Sequence, residues 1–441
     1  MNLKIYIIGL NLYSIIIATK IKKDFKKKVS VKILEGSNSF LSAYNAVKIG
    51  KYFCNPGFHA YENVRSFKLI NFLKKIIKFK KINKSRGIII GNNLISYQSE
   101  FYQWPKNLTN MFNLSAKDQI LNNLNIAKKV SINYLYYLKN NLGDNRLKIK
   151  NSFSLIYPWF FSPNYKIKSN DEGALFNQKI REKKITHSFL FPKSGLFRSI
   201  SQALKIFLTK NHIDVKKNTY VNFTKSDKKV FIESHQKLNK KKDIKIICVP
   251  VVPLASSIKD SSFKNKKLFP IKLYTGLLKI NNVETSEINK YCETIVSSEF
   301  AYGLRRISLY SEVMNKKEKG HIYQIEFVEH KKYKDIEQQI KQIIKLIIKF
   351  IKFKKSSNQK NIKFIGYVFL RNIFSPDQKI IDGLATKVEY FFKDSKNIFF
   401  PRKITWPINS NKHMEYANID YKNKIKNQIS NFLKGYKNEI K

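Results

Sequence analysis

Cysteine, glycine and arginine are all scarce in this 441-residue chain, and each scarcity removes a class of explanation. The three cysteines, Cys54, Cys248 and Cys292, are too few and too scattered for a disulfide framework. No C-x-x-C occurs and no His/Cys cluster has metal-ligand spacing, so a structural zinc site is unsupported and a reducing, cytoplasmic compartment is expected. No uncharged apolar stretch reaches the roughly 18 residues of a spanning helix. The apolar N-terminus is broken at Asn11 and runs into Lys20, Lys22 and Lys23, a pattern of strand, turn and helix rather than a signal peptide. A G-x-S-x-G elbow, a P-loop, an H-E-x-x-H helix and the kinase motifs are all missing.

Acidic residues are also few, and the formal net charge is +53. Only nine of the 84 basic residues are arginine, however. Readers of nucleic acid use the bidentate fork of arginine and cluster it, whereas the lysines here are spread along the whole length. The abundance of Lys, Asn and Ile fits pressure toward A- and T-rich codons on a tolerant surface. No specific nucleic-acid partner is expected, although nonspecific adhesion to polyanions is.

The most informative segment is the first thirty-five residues. Lys4–Ile8 is a short apolar run ending at Gly9, a helix is predicted from about Ser14 to Lys22, and Val29–Leu34 is a second run ending on Glu35. This order is a βαβ unit of the dinucleotide-binding kind. There the first strand delivers a tight turn, the helix N-terminus faces a pyrophosphate, and the acid closing the second strand bonds the ribose hydroxyls. Glu35 follows Ser14 by 21 residues, close to the ~20 that the geometry requires. Against G-x-G-x-x-G-x-x-x-A the chain has Gly9, Asn11, Ser14 and Ala18. Asn tolerates positive φ better than most residues, and Ser is small enough for a helix to approach a strand.

After Glu35 come Gly36–Ser42 and then Gly50–Glu62, which includes Gly57-Phe58-His59. With the first unit, these segments resemble the FAD-dependent oxidoreductases of the amine oxidase and protoporphyrinogen oxidase group, and UDP-galactopyranose mutase, which shares their fold. The resemblance implies an α/β fold in which a discontinuous Rossmann-like FAD-binding domain carries an inserted α+β substrate domain. It places Gly57 and His59 near the flavin and predicts a helix over residues 64–75. Ser39, Leu41 and Ser42 stand where the group has an Arg and a Gly-Gly pair. A second block, Phe191–Leu196, a helix over 200–210, Ile213–Val215, Asn218–Val221 and Lys245–Pro250, matches the group's turn, helix and strands, and implies that Val221 contacts the adenine side. A third, Asn397–Arg402 and Tyr416–Tyr421, implies a closing strand with Arg402 and a terminal helix that Asp420 caps beneath the flavin.

The implied FAD-binding parts are residues 1–70, 186–260 and 371–441. A helical substrate insertion over 71–185 and a substrate sheet with helix over 261–370 complete the chain. Arg305-Arg306-Ile307-Ser308 resembles the Arg-Ile-Thr/Ser segment of the mutase-like members, and an arginine pair can hold phosphate or carboxylate bidentately. Residues 336–353 place Ile340, Ile343, Ile344, Ile347 and Ile351 at helical spacing between lysines, a stripe suited to a sheet or to weak peripheral membrane contact. The resemblance therefore implies a flavoenzyme acting on a small-molecule substrate, with His59 and Arg306 as catalytic candidates and Gly9, Asn11, Ser14, Glu35, Gly57, Val221, Arg402 and Asp420 around FAD. A nucleotide-sugar mutase is the sharper form of that expectation. The alternative is a degenerate, non-catalytic member that keeps the fold as a scaffold.

Overall fold

The structure is a computed structural model that describes residues 3–41, 44–56, 61–62, 68–90, 93–96, 188–226, 229–234, 243–263, 270–296, 303–314, 320–330, 333–354, 361–374, 378–395, 397–400 and 410–438. The chain opens with β1 (Leu3–Ile8), α1 (Leu12–Phe25) and β2 (Val29–Leu34), then β3 (Val47–Ile49), β4 (Tyr52–Cys54), β5 (Tyr61–Glu62) and α2 (Lys68–Lys74). Next come β6 (Phe79–Ile82), β7 (Ser85–Ile90), β8 (Asn93–Ser96), β9 (Phe189–Pro192), α3 (Arg198–Lys210) and β10 (Ile213–Lys216). They are followed by β11 (Asn222–Ser226), β12 (Lys229–Glu233), β13 (Ile244–Ile247), α4 (Val251–Ser256) and β14 (Pro270–Ile280). Then β15 (Val283–Ser286), β16 (Tyr291–Val296), β17 (Leu304–Leu309), α5 (Tyr310–Val313), β18 (His321–Val328) and α6 (Ile336–Ile348) succeed one another. The chain closes with β19 (Ile351–Phe353), β20 (Ile362–Phe374), α7 (Gln378–Phe392), β21 (Ile398–Phe399), α8 (Ser410–Asp420), a π-helical turn (Tyr421–Ile425) and α9 (Lys426–Asn438).

Two sheets organise these elements. The first has five strands in the order β10-β2-β1-β13-β21, and every neighbouring pair is parallel. Its strands come from the N-terminal, central and C-terminal thirds of the chain, and β1 and β2 pair in full register from Leu3↔Val29 to Ile8↔Leu34. Covered on both faces, such strands read as nearly continuous apolar runs. β13 (IKII) is buried throughout, and even Lys245 is 2 % exposed. Helix α1 buries nine of its residues, including Ile15, Ile16, Ile17 and Ile21, between this sheet and α8. Tertiary packing rather than propensity holds so β-branched a helix.

The second sheet has seven strands, β20-β14-β18-β17-β16-β7-β8, antiparallel apart from the β16–β7 pair. The alternation of a strand splits its residues between two faces. Ile307, Leu309, Tyr323, Ile325 and Phe327 form one apolar face, and α6 covers it with Ile340, Ile343, Leu346 and Ile347. The isoleucine stripe of α6 is therefore turned onto a sheet, and Ile351 lies beyond the helix in β19. Among the described residues no helix is long and apolar enough to cross a membrane. The helix expected over 64–75 is described as α2, and the run expected near Ala116–Asn140 lies outside the described residues.

Candidate dinucleotide and substrate site

In the parallel sheet the chain leaves β1 toward β2 and β10 on one side, and returns as β13 and β21 on the other. Ligands of open α/β sheets bind at such a switch point, beyond the carboxyl ends of the strands. Gly9 occupies that point with φ +98°, and a Cβ added to it would lie 2.9 Å from Val249 Cγ2 and 3.0 Å from the Cys248 carbonyl oxygen. Only glycine fits both the conformation and the contact. Three strand ends are knitted together here: Gly9 N donates to Leu34 O and Cys248 N to Ile8 O, each at 2.8 Å.

Asn11 and Ser14 stand where the motif has its second and third glycines. Asn11 is the N-cap of α1, in ordinary extended backbone at φ −152°. Its Oδ1 accepts from Ser14 N at 2.9 Å, and Ser14 Oγ accepts from Asn11 N at 2.9 Å. This is a reciprocal capping box with serine in the usual Glu/Gln position. It leaves the fully buried Ser14 hydroxyl satisfied, which explains why the close approach of helix and strand survives without glycine. The Asn11 amide also reaches across the switch point, Nδ2 donating to Cys248 O at 2.6 Å.

Glu35 closes β2. Its Oε2 accepts from Leu10 N and its Oε1 from Ser37 N, both at 2.9 Å, so the carboxylate is fixed by two backbone amides beside the Gly9 turn. Each oxygen keeps a second lone pair for a hydroxyl donor. The Glu35 backbone binds Lys216 O through its N–H and receives Thr219 N at its carbonyl, which brings Val221 alongside. Val221 is buried with Ile8 and Leu34, the last residues of β1 and β2. The exposed Tyr220 ring lies against Gly36, 3.4 Å from where a Cβ would stand. Leu41, at a position where a glycine is expected, adopts φ +50° while its side chain is buried.

The sheet thus gathers Gly9, Asn11, Ser14, Glu35 and Val221. Asp420 corrects one expectation: it does not cap a helix N-terminus. The helical run has already begun at Ser410, and Asp420 sits in its interior with helical φ and ψ and no capping bond. Its carboxylate, 3 % exposed, accepts the Tyr13 hydroxyl at 2.7 Å and so ties the C-terminal helix to α1. Burial, with the charge of Asp420, pushes the Cys248 thiol well up, away from reactivity. Gly57, His59 and Arg402 lie outside the described residues.

Arg306 belongs to the other sheet, and its surroundings were not foreseen. On the face opposite α6, Glu293 of β16 is 1 % exposed and sits between two arginines. Arg86 Nε of β7 approaches Glu293 Oε2 at 2.6 Å, and Arg306 Nε of β17 approaches Oε1 at 2.8 Å. The first is an aligned hydrogen bond, whereas the second is a close ion contact whose N–H direction misses hydrogen-bond alignment. The Arg86 guanidinium also lies 5.2 Å from the centre of the Phe189 ring. Gln324 Nε2 donates to Thr275 Oγ1 and to Asn55 O, and Asn55 in turn binds Gly195 O and Phe197 N. This polar face is thereby joined to the loop that starts α3. Among the described residues no group of three His, Cys, Asp or Glu could hold a metal ion.

No protein-family model matches the sequence, and no curated protein matches it. Solved structures do. A reduced UDP-galactopyranose mutase superposes with a TM-score of 0.63 at 13 % identity, over 95 % of this chain and 95 % of that one. A candidate protoporphyrinogen oxidase of Exiguobacterium sp. 255-15 gives 0.62 at 11 % identity, over 96 % and 98 %. A putrescine oxidase double mutant from a redesign of cofactor binding gives 0.57 at 11 % identity, over 98 % and 100 %. The described residues share the amine oxidase-like fold of these proteins.

Proposed function

We propose that the chain binds FAD across the carboxyl edge of the parallel sheet and acts on a small organic molecule held at the polar face of the seven-stranded sheet. In this reading residues 1–70, 186–260 and 371–441 make a discontinuous Rossmann-like FAD-binding domain, and the intervening residues supply the substrate layers. The observation that carries it is Glu35, held by two backbone amides at the end of β2 beside a positive-φ glycine at the switch point.

The donor set fits the adenosine half of the cofactor. Glu35 has lone pairs for the ribose hydroxyls, and Val221 with Tyr220 offers an apolar edge for the base. At the diphosphate, Gly9 and the first turn of α1 fit, with the Ser14 amide bonded to Asn11. When bound, FAD supplies the electron-accepting ring that would take hydride from a C–H bond as a C–N or C–C single bond is oxidised. The protein supplies position and charge. Arg306, steadied by Glu293, would orient an anionic group of the substrate, and a phosphate on that group would favour a nucleotide-sugar mutase over an oxidase. His59 and Arg402 belong to the same reading through the motif resemblance alone.

A second reading, a non-catalytic scaffold, is favoured by two residues: the Asn11 side chain in the cradle and Leu41 at positive φ. Glu35→Ala separates the two. If the chain is a flavoprotein, wild type quenches the fluorescence of added FAD at equilibrium, while the folded variant retains little or none of that binding. Retention by the variant at wild-type affinity would remove the ribose contact from the account.

A further inference from the structure

Resting on that flavin reading, we infer that the Asn11 side chain is a latch across the diphosphate crevice and that the flavin is consequently exchangeable rather than permanently held. The second position of the cradle is ordinarily glycine because the backbone must come close to the pyrophosphate. Here it carries an amide side chain fixed at both ends. Oδ1 takes the Ser14 N–H, one of the first-turn donors that would otherwise face an anion. Nδ2 binds Cys248 O at 2.6 Å, joining the end of β13 to the start of α1 directly over the switch point between β1 and β13.

The latch has no sequel elsewhere in the cradle. Gly9 already packs against Val249 and Cys248, so the crevice has no slack on that side. Ser14 is buried and bonded to the Asn11 backbone, so it holds the N-cap in place whatever the side chain does. The one group that can leave without unfolding the turn is the Asn11 carboxamide. Rotating it away exposes the Ser14 amide and frees the Cys248 carbonyl, at the cost of a capping bond and a second hydrogen bond. Occupancy of the diphosphate position and closure of the latch exclude one another, so the cost is subtracted from FAD affinity.

The test compares FAD affinity, by quenching of flavin fluorescence, in the wild type, Asn11→Gly and Asn11→Asp. Glycine at an N-cap costs a helix only a few tenths of a kcal/mol relative to asparagine, so Asn11→Gly should stay folded. It should bind FAD at least about fivefold more tightly and release it more slowly. Asn11→Asp keeps the cap and adds a charge of the wrong sign, and should bind FAD more weakly than wild type. If Asn11→Gly does not fold, Asn11→Ser, which caps but cannot reach Cys248 O, must bind FAD more tightly than wild type. Equal affinity in wild type and Asn11→Gly overturns the latch while leaving the flavin reading intact. Failure of all the proteins to bind FAD overturns the flavin reading, and the latch with it.

Discussion

Removing the charge of Glu293 while keeping its shape, as in Glu293→Gln, tests the polar face of the seven-stranded sheet. The carboxylate is 1 % exposed, and the side chains of Arg86 and Arg306 that flank it are 17 % and 10 % exposed. In the wild type each buried guanidinium offsets its desolvation against one oxygen of the same anion. The amide keeps one acceptor and turns its NH₂ toward the other arginine, so a charge pair becomes a donor facing a donor. Breaking a buried ion pair from one side costs about 3–5 kcal/mol. That is a large share of the ~5–15 kcal/mol that holds a typical native protein together. With a urea slope of about 3 kcal/mol per M, the unfolding midpoint should fall by roughly 1 M or more. Replacing all three residues by methionine should restore the midpoint or raise it, since well-packed apolar groups often match or exceed a buried ionic network by about 1–4 kcal/mol. A Glu293→Gln midpoint equal to that of the wild type would refute the network.

Two further outcomes are expected from single residues. Leu41 is buried at φ +50°, a conformation that costs an L-residue roughly 1–2 kcal/mol. Both Leu41→Ala and Leu41→Gly lose the packed side chain, but only glycine relieves the backbone, so urea unfolding should find the glycine variant about 1 kcal/mol more stable than alanine. The reverse order would remove the strain. The second outcome concerns Asp24, whose carboxyl is held below its ordinary value by the hydrogen bond from Lys426, by the Tyr421 hydroxyl and by nearby lysine charge, against the opposing effect of burial. Because the folded pKa is lowered, this stabilisation is complete above the unfolded value of 3.8 and is lost as pH falls through the lower folded value. Protection factors for hydrogen exchange in α9 should therefore fall below about pH 4, and less so in Asp24→Asn. A pH-independent protection of α9 would contradict it.

Much of the parallel-sheet half of the fold was legible because it is written in local pattern. The apolar run before Gly9, the helix behind it and the acid after the second run appear as β1, α1 and β2, and β2 keeps its expected bounds of Val29–Leu34. Asn11 with Ser14 three residues on is itself a capping signature, so the occupied cradle could have been read from that spacing rather than only as two lost glycines. The network around Glu293 could not. Its partner Arg86 lies 207 residues away in sequence and Arg306 on the following strand, and only strand pairing brings all three together. That Asp420 lies within a helix instead of capping one was not legible, because residues 410–420 have no apolar periodicity to announce that a helix is already under way. The α6 stripe fits a sheet and a membrane surface equally well as a pattern, and the packing against β17 and β18 shows where it is turned.

The most direct test of the central claim is the visible absorption spectrum of the purified protein, taken as isolated and again as a difference spectrum against free FAD during titration with excess FAD. A flavin that binds at the Glu35 cradle should show bands shifted from those of free FAD, with a difference signal that saturates as FAD is added. A protein that is colourless as isolated and gives a flat difference spectrum at every FAD concentration, while its circular dichroism shows it folded, would contradict the flavin assignment and leave the scaffold reading in its place.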